Sequence, residues 1–321
     1  MPSQVDNGKA FEYAIAKTYY DYLVSRGVQI EFDYDEPWIN AQRCFDFQPI
    51  ENQQGFCCAA EKTIETLVAI EPGLVSARNA QDILKLRIAS DVEGIAGDVR
   101  DVIFSRNNGT IWELGISAKN NHDAVKHSRL SQTIDFGREW LNLGCSDAYF
   151  SEIRPIFDRL ARIKATQPQL EWTDLGEQKS TEIYVPLLNA FRKEMLALAR
   201  NNREATANLL CYLIGRKPFY KIIKEDKNNI VVVKAFNIDG KLNKTVNGQK
   251  PVIKTEAINL PTRIIELEFK PGSDTTLMMV LDEGWQISFR LHNASKHIEP
   301  SLKFDINLIG NPPILFTQHL F

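Results

Sequence analysis

The chain has 321 residues, of which 44% are hydrophobic and 25% are charged, and its formal net charge is −3. This composition supports a sizeable buried core in one large or two ordinary domains, and it excludes a largely disordered chain. No apolar run reaches the ~18 residues of a membrane-spanning helix and the start lacks the pattern of a signal peptide, so we expect a cytoplasmic protein with no membrane partner.

The chain before residue 95 is predicted to be mainly helical. Apolar residues at three-and-four spacing predict a helix over residues 8–27, with Gly27 as its end. A second helix is predicted over residues 55–70, and the following Glu-Pro-Gly at 71–73 ends it.

From residue 98 the apolar period changes from helical spacing to two. Residues 98–105 and 110–119 therefore predict the strands of a β-hairpin, with the turn residues Asn-Asn-Gly at 107–109 between them. Residues 122–140 return to helical spacing and predict a helix.

The remaining chain runs from helices to strands. Two helices are predicted over residues 184–200 and 205–215. Turn residues then separate five strand-like runs, IVVVKAF, RIIELEF, TTLMMVL, GWQISFRLH and LKFDINLIG. The pattern predicts an α/β fold in which a mixed sheet flanked by helices is joined to a strand-rich C-terminal part, with domains over residues 1–225 and 226–321.

Charge is distributed unevenly along the chain. Residues 191–270 hold 16 Lys and Arg against 8 Asp and Glu, whereas residues 1–190 hold 19 against 28. A phosphate-tracking surface joined to a metal-binding carboxylate site gives this asymmetry, and solvated helix faces give it as well.

The motifs of several enzyme classes are missing. The chain has no P-loop, GxGxxG or HExxH motif, and residues 115–119 lack the last glycine of GxSxG. The five cysteines show no CxxC spacing, which predicts free thiols and no structural zinc site. The hairpin instead offers Asp101 before one strand and Lys119 at the end of the next. A carboxylate there can hold Mg²⁺ against a scissile phosphate, and an ammonium can orient water, which is typical of a nuclease.

On these residues the hairpin resembles that of the PD-(D/E)XK nuclease superfamily, which has an aspartate on one strand and (D/E)-x-K on the next. Residues 97–131 resemble specifically the HaeIII-type restriction endonucleases, and residues 184–200, 209–223 and 284–310 are similar to further parts of that family. The resemblance implies a Mg²⁺-dependent type II restriction endonuclease of a restriction-modification system, which cuts both strands of double-stranded DNA at the palindrome GGCC. It also implies a homodimer, a nuclease core before residue 225 and a DNA-recognition part after it.

The same resemblance assigns roles at the hairpin. Asp101 would bind Mg²⁺, Lys119 would position or activate the attacking water, and Ser117 would hold a metal-bound water. Ser117 stands where the superfamily has its second carboxylate. The Ala118 carbonyl is a further candidate ligand.

The missing carboxylate could come from the second predicted helix. Glu61 and Glu65 lie one turn apart there, beside an apolar stripe. The alternative is that both glutamates belong to the solvated flank of the helix.

The turn decides which aspartate is catalytic. A two-residue turn at 108–109 would place Asp98 opposite Lys119. A three-residue loop at 107–109, with glycine left-handed in a bulge, would place Asp101 on the face of Lys119. We predict the second arrangement and retain Asp98 as the alternative metal ligand.

Two segments are predicted to contact DNA. The first follows the hairpin and contains Asn120, Asn121, His122, Lys126 and Arg129. The second is the polar face of GWQISFRLH and the loop after it, with Arg290, His292, Asn293, Ser295 and Lys296. Ordinary exposed surface is the alternative for both segments.

Two other functions remain open from the sequence. Another PD-(D/E)XK nuclease, such as a repair or structure-specific enzyme, would cut with little sequence preference. A catalytically silent DNA-binding protein would explain serine in place of the second carboxylate.

Overall fold

The computed structural model describes residues 2–95, 98–107, 111–121, 123, 125 and 128–321. The chain divides into two compact units. Unit 1 comprises Met1–Asp123, Gly215–Ile258 and Pro313–Phe321, and unit 2 comprises Ala124–Ile214 and Asn259–Pro312. This division differs from the predicted single boundary near residue 225, because unit 1 takes strands from both sides of that residue.

The helices follow the predicted pattern in part. Numbered along the chain, they are α1 Gln4–Ser25, α2 Glu36–Asp46, α3 Ile50–Ile70, α4 Asp91–Ile95, α5 Asp147–Thr166, α6 Val185–Asn201 and α7 Ala205–Ile214. Helix α1 begins in a capping box formed by Ser3 and Asp6 and ends before Gly27, whose φ of 76° suits glycine. Helices α1, α6 and α7 confirm the prediction, and α3 begins earlier than predicted, directly after Pro49.

The strands are numbered in the same way. They are β1 Ile30–Phe32, β2 Leu84–Ile88, β3 Val102–Asn107, β4 Ile111–Asn120, β5 Ser128–Ser131, β6 Phe219–Glu225, β7 Ile230–Phe236, β8 Ile264–Phe269, β9 Thr276–Leu281, β10 Gln286–Asn293, β11 Ser301–Gly310 and β12 Thr317–Leu320. Strands β3 and β4 form the predicted hairpin, and β7 to β11 confirm the five predicted runs.

Within the described residues, unit 1 contains a mixed seven-stranded sheet in the order β1-β2-β3-β4-β6-β7-β12. The β1–β2 and β4–β6 pairs are parallel, and the other pairs are antiparallel. One face buries Phe104, Ile116 and Val233 against Phe11 of α1 and Phe56 of α3. This arrangement confirms the predicted mixed sheet with flanking helices and places the hairpin near the middle of the sheet.

The hairpin register differs from both predicted turns. Val102 pairs with Ile116 and Asn107 pairs with Ile111, so residues 108–110 lie between the paired strands. Those three residues, and with them the predicted glycine bulge, lie outside the described residues. The pairing moves by two positions relative to the predicted three-residue loop, which keeps Asp101 on the predicted face and places it beside Ser117.

Unit 2 contains a five-stranded antiparallel sheet in the order β5-β11-β10-β9-β8. Its core includes Trp140, Phe191, Phe289 and Phe304, whose rings contact one another. The predicted helix over residues 122–140 is wrong at Ser128–Ser131, which form β5, because burial of alternate residues against β11 outweighs a helical spacing that was only local. Among the described residues of the predicted range only the end is helical, as part of the π-helical turn Gly137–Leu141, and residues 122, 124, 126 and 127 lie outside the described residues.

None of the helices among the described residues has the length and apolar character that a membrane span requires. All five cysteines are free thiols, as predicted; Cys58 is exposed and the other four are partly buried.

Candidate active site

Asp101 lies at the centre of a small polar cluster at the head of the hairpin. Its Oδ2 atom accepts hydrogen bonds from the Ala118 N–H at 2.7 Å and from the Ser117 hydroxyl at 3.2 Å. The Lys119 ammonium lies 3.4 Å from the same oxygen. Ser117 is buried, whereas the side chains of Asp101 and Lys119 are 22% and 27% exposed. The structure therefore brings the predicted acid, hydroxyl and lysine together where solvent reaches them.

A buried carboxylate from α1 lies beside this cluster and was not predicted. Glu12 is 7% exposed, and its Oε2 accepts a hydrogen bond from Lys9 at 3.1 Å. Burial, and then the negative charge of Asp101, raise the pKa of Glu12 to about 7 against the opposing charges of Lys9 and Lys119. Glu12 interrupts the apolar run AFEYAIA, and an acid in such a run needs a partner, so a sequence signal existed.

Glu61 and Glu65 do not take this position. Both are exposed on α3, as the solvated-flank alternative expects. In the part of the chain that the structure describes, neither forms a hydrogen bond or ion pair with Asp101, Ser117 or Lys119. The carboxylate that lies near Asp101 is instead Glu12 of α1, a helix that packs against β4.

Asp98, the alternative acid, belongs to a separate ion-pair network. Its carboxylate contacts Arg100 at 2.8 Å and Lys217 at 3.1 Å, and Arg100 also reaches Glu113 at 3.0 Å. Burial opposes ionisation of Asp98, but Arg100 and Lys217 lower its pKa to about 2. The Arg100 side chain crosses β4 at Gly115, where an added Cβ would lie 2.0 Å from Arg100 Cδ.

We therefore expect Gly115→Ala to lower the free energy of unfolding by about 1–3 kcal/mol, because the new methyl displaces Arg100 from both of its carboxylates. Urea denaturation measures the change. Gly8→Ala in α1 is the control for a methyl group added without a clash, since nothing lies within 4 Å of a Cβ there, and it should raise the free energy of unfolding by up to about 1 kcal/mol. An unchanged midpoint for Gly115→Ala would show that Arg100 can move without loss of stability.

Two buried lysines continue the row of side chains across the sheet from Ser117. Ser117 pairs with Lys221 of β6, and Lys221 pairs with Lys234 of β7. Both ammonium groups contact the carboxylate of Asp123. Burial lowers the pKa of Lys221 to about 8, with Lys119 and Lys234 contributing and Asp123 opposing. This row adds positive potential beside the Asp101 cluster, where a phosphate would carry negative charge.

The predicted DNA contacts after the hairpin are described only in part. Asn120 ends β4, and Arg129 is exposed on β5. The Asn121 amide donates to the Asp226 carboxylate at 2.5 Å and its carbonyl accepts from the Asp226 N–H at 2.8 Å, so this side chain already holds a turn. His122 and Lys126 lie outside the described residues.

The second predicted DNA contact lies on the small sheet of unit 2. Ile287, Phe289 and Leu291 are buried and alternate with Ser288, Arg290 and His292, which confirms the predicted two faces of β10. Paired residues share a face, so His292, Lys303 and Arg129 lie in one row across β10, β11 and β5. We call Arg129, Arg290, His292 and Lys303 the basic face. The same side of the sheet also carries three acids, Asp305, which pairs with Arg290, and Glu266 and Glu268 of β8.

The loop after β10 is held by contacts within unit 2. The side-chain oxygen of Asn293 accepts a hydrogen bond from Lys179 at 3.0 Å, and the side-chain NH2 of Asn293 donates to the Ser295 backbone carbonyl at 2.7 Å. Lys296 forms an ion pair with Glu171 at 2.6 Å. These contacts fix the shape of the loop, so DNA binding by Asn293 or Lys296 would require some of them to be replaced by contacts with DNA.

The residues around Asp101 suit a hard divalent cation. Among described residues, the hydrogen bonds to the Asp101 carboxylate all reach Oδ2, and Glu12 provides a second carboxylate nearby. The Ala118 carbonyl lies on the Asp101 side, because N–H and C=O of one strand residue point the same way. No group of three or more His, Cys, Asp or Glu side chains converges in the described part of the chain. One or two carboxylates, completed by water and substrate phosphate, are the usual protein ligands of Mg²⁺.

Comparison with known proteins agrees with this chemistry. Residues 8–312 match the model of a family described as HaeIII restriction endonuclease. The chain is 37% identical over 308 residues to the type II restriction enzyme HaeIII of Haemophilus aegyptius, and the alignment covers 96% of this chain and 94% of that protein. The matched residues extend from α1 to β11, so they include Glu12, the hairpin and the basic face.

Proposed function

This chain belongs to the HaeIII restriction endonuclease family, and from that premise we propose that it cuts both strands of double-stranded DNA at GGCC with Mg²⁺ as its cation. It is a type II site-specific deoxyribonuclease, a class that acts on DNA and generally needs a divalent metal. The observation that carries the proposal is the meeting of Asp101, Ser117 and Lys119 around one carboxylate oxygen.

Asp101, Glu12 and the Ala118 carbonyl would hold the cation. When bound, it supplies electrostatic stabilisation of the negative charge that develops on the scissile phosphate. The Ser117 hydroxyl donates a hydrogen bond to Asp101 Oδ2, and together with the Ala118 N–H it fixes the orientation of that carboxylate. Orientation matters because a ligand held in place needs no reorganisation during the reaction.

Lys119 is the group proposed to act on the attacking water. Its ammonium lies beside Asp101 and is partly exposed, so it can donate a hydrogen bond to water or to a phosphate oxygen. The buried Lys221 and Lys234 add positive charge on the same face, which favours an anionic phosphate there.

The proposed site also implies an assembly. GGCC is a palindrome with one bond to cut in each strand, so a homodimer with one active site per subunit fits its symmetry. We propose that the enzyme acts in the cytoplasm, where DNA is accessible to it.

Plasmid digestion with Mg²⁺ tests the proposed function. We expect discrete fragments whose ends map to GGCC, and no cutting when a chelator removes the metal. A smear would instead indicate a nuclease with little sequence preference. Specific DNA binding without any cutting would indicate a catalytically silent protein.

We expect Arg290→Ala to lose about 1–3 kcal/mol of affinity for a GGCC duplex and almost nothing for random DNA. The reason is that Arg290 projects from the exposed side of β10, where its guanidinium can bond guanine bidentately. Binding titrations on both duplexes, in calcium and at several salt concentrations, measure the difference.

Two matched variants separate base reading from charge. Arg263→Ala removes an exposed arginine of unit 2 outside the basic face and should leave both affinities unchanged. Arg129→Ala, as a phosphate contact, should weaken both duplexes alike and lower the salt slope by about one. Equal losses on cognate and random DNA for Arg290→Ala would make it a backbone contact as well.

A further inference from the structure

A cationic cavity of about 850 Å³ opens in unit 1 beside the first residues of β4. Among the described residues that line it, seven are Lys or Arg and two are Asp or Glu, although the chain as a whole has a net charge of −3. The five exposed cations of the lining are Arg78, Arg216, Lys217, Lys241 and Lys244. The catalytic proposal uses none of them.

The charge of this cavity is only partly compensated. The two buried arginines of the lining, Arg100 and Arg106, form ion pairs with acids inside unit 1. Lys217 and Lys241 also have acidic neighbours. Within the described chain, Arg216 and Lys244 have no ion pair, so the mouth of the cavity keeps a positive excess.

The cavity opens at the start of β4 and is lined from both faces of that strand, by Glu113 on the face of the candidate active site and by Trp112 on the opposite face. Alternate strand residues place Glu113 on the same face as Ser117. Four residues of strand separate the two, which is about 13 Å. A duplex rises by about the same distance over four base pairs, at 3.4 Å each.

We propose that this cavity binds the phosphodiester backbone of the cut duplex outside the four-base-pair recognition sequence, an inference that rests on the DNA cleavage proposed above. Exposed lysines and arginines neutralise phosphates without reading bases, so the contact is independent of sequence. Four of the five exposed cations belong to the basic segment 191–270, and they are distinct from Lys221 and Lys234, the two lysines of that segment that lie beside the candidate active site.

The test compares two duplexes, each of which contains one GGCC sequence. The short duplex ends just outside the recognition sequence, and the long duplex extends by one helical turn on each side. Binding is measured in calcium for the wild type and for the double variant Arg216→Ala/Lys244→Ala. The wild type should bind the long duplex more tightly, and the variant should lose about tenfold on the long duplex only, with a salt slope lower by about two.

A charge-matched control uses exposed cations of unit 1 outside the cavity. Arg26→Ala/Lys250→Ala removes the same charge and should leave the preference for the long duplex intact. Thermal melting of each variant confirms folding, which exposed substitutions should not disturb.

Several results would overturn the inference. Equal losses on both duplexes would place the two cations at the recognition sequence, and no loss on either would show that the cavity does not contact DNA. Scrambled duplexes of both lengths separate this inference from GGCC recognition, because a flank contact persists on them even if the proposed specificity fails.

Discussion

Asp101→Ala and Lys119→Ala should each reduce cleavage of a GGCC plasmid by at least about 100- to 1,000-fold while leaving DNA binding within about tenfold. Asp101 is proposed to hold the cation and Lys119 the water, whereas contacts elsewhere carry the affinity. Single-turnover cleavage and binding titrations, measured on the same duplex, separate the two effects.

Two further variants show whether the loss of cleavage is specific to Asp101 and Lys119. Ser117→Ala should be milder than either, because the hydroxyl contributes one hydrogen bond to Asp101 and no charge. Asp98→Asn should keep cleavage, since the Asp98 carboxylate forms ion pairs with Arg100 and Lys217 and does not contact Asp101 or Lys119 in the described structure. Persistent cutting by Asp101→Ala together with loss in Asp98→Asn would reverse the assignment of the catalytic acid.

Glu12→Gln should raise the melting temperature of the metal-free protein at pH 8 and remove the rise that Mg²⁺ or Ca²⁺ produces in the wild type. Burial and then the charge of Asp101 raise the pKa of Glu12 from 4.5 to about 7. The protonated form of Glu12 contributes to the free energy of unfolding, and this contribution is fully present below the pKa of the unfolded chain. It is lost as the pH rises through the folded-state pKa of about 7, by an amount on the order of a few kcal/mol. A bound cation offsets the negative charge of ionised Glu12 and therefore stabilises the wild type. The Glu12→Gln variant has no charge at this position, so it lacks both the destabilisation at pH 8 and the stabilisation by a cation.

Differential scanning calorimetry across pH, with and without metal, measures both parts of this prediction. Lys9 retains Asp91 as a partner at 2.9 Å in the variant, so loss of the Glu12 ion pair does not leave it alone. Glu61→Gln, on the exposed face of α3, is the control and should change neither quantity. An undiminished metal-induced shift in Glu12→Gln would exclude Glu12 from the metal site.

The candidate site divides into a part that local pattern predicts and a part that it does not. Asp101 and Lys119 belong to one hairpin, so alternation along two adjacent strands brings them to the same face. Glu12 comes from a helix far away in the chain, and Lys221 comes from a strand that pairs with β4 only in the folded sheet. A charged residue inside an apolar run signals that such a partner exists, but not which residue it is.

The helices α1, α6 and α7, the hairpin, the two faces of β10 and the shared face of Asp101 and Lys119 could be predicted from the sequence alone. These features depend on periodicity, caps and turns, which act between neighbouring residues. Three features required the tertiary structure: Ser128–Ser131 forms a strand, the hairpin register places Asp101 beside Ser117, and Glu12 of α1 lies near Asp101. The physical reason is that strand pairing and burial join residues distant in sequence, and their free energy exceeds the weak local preference of a short segment.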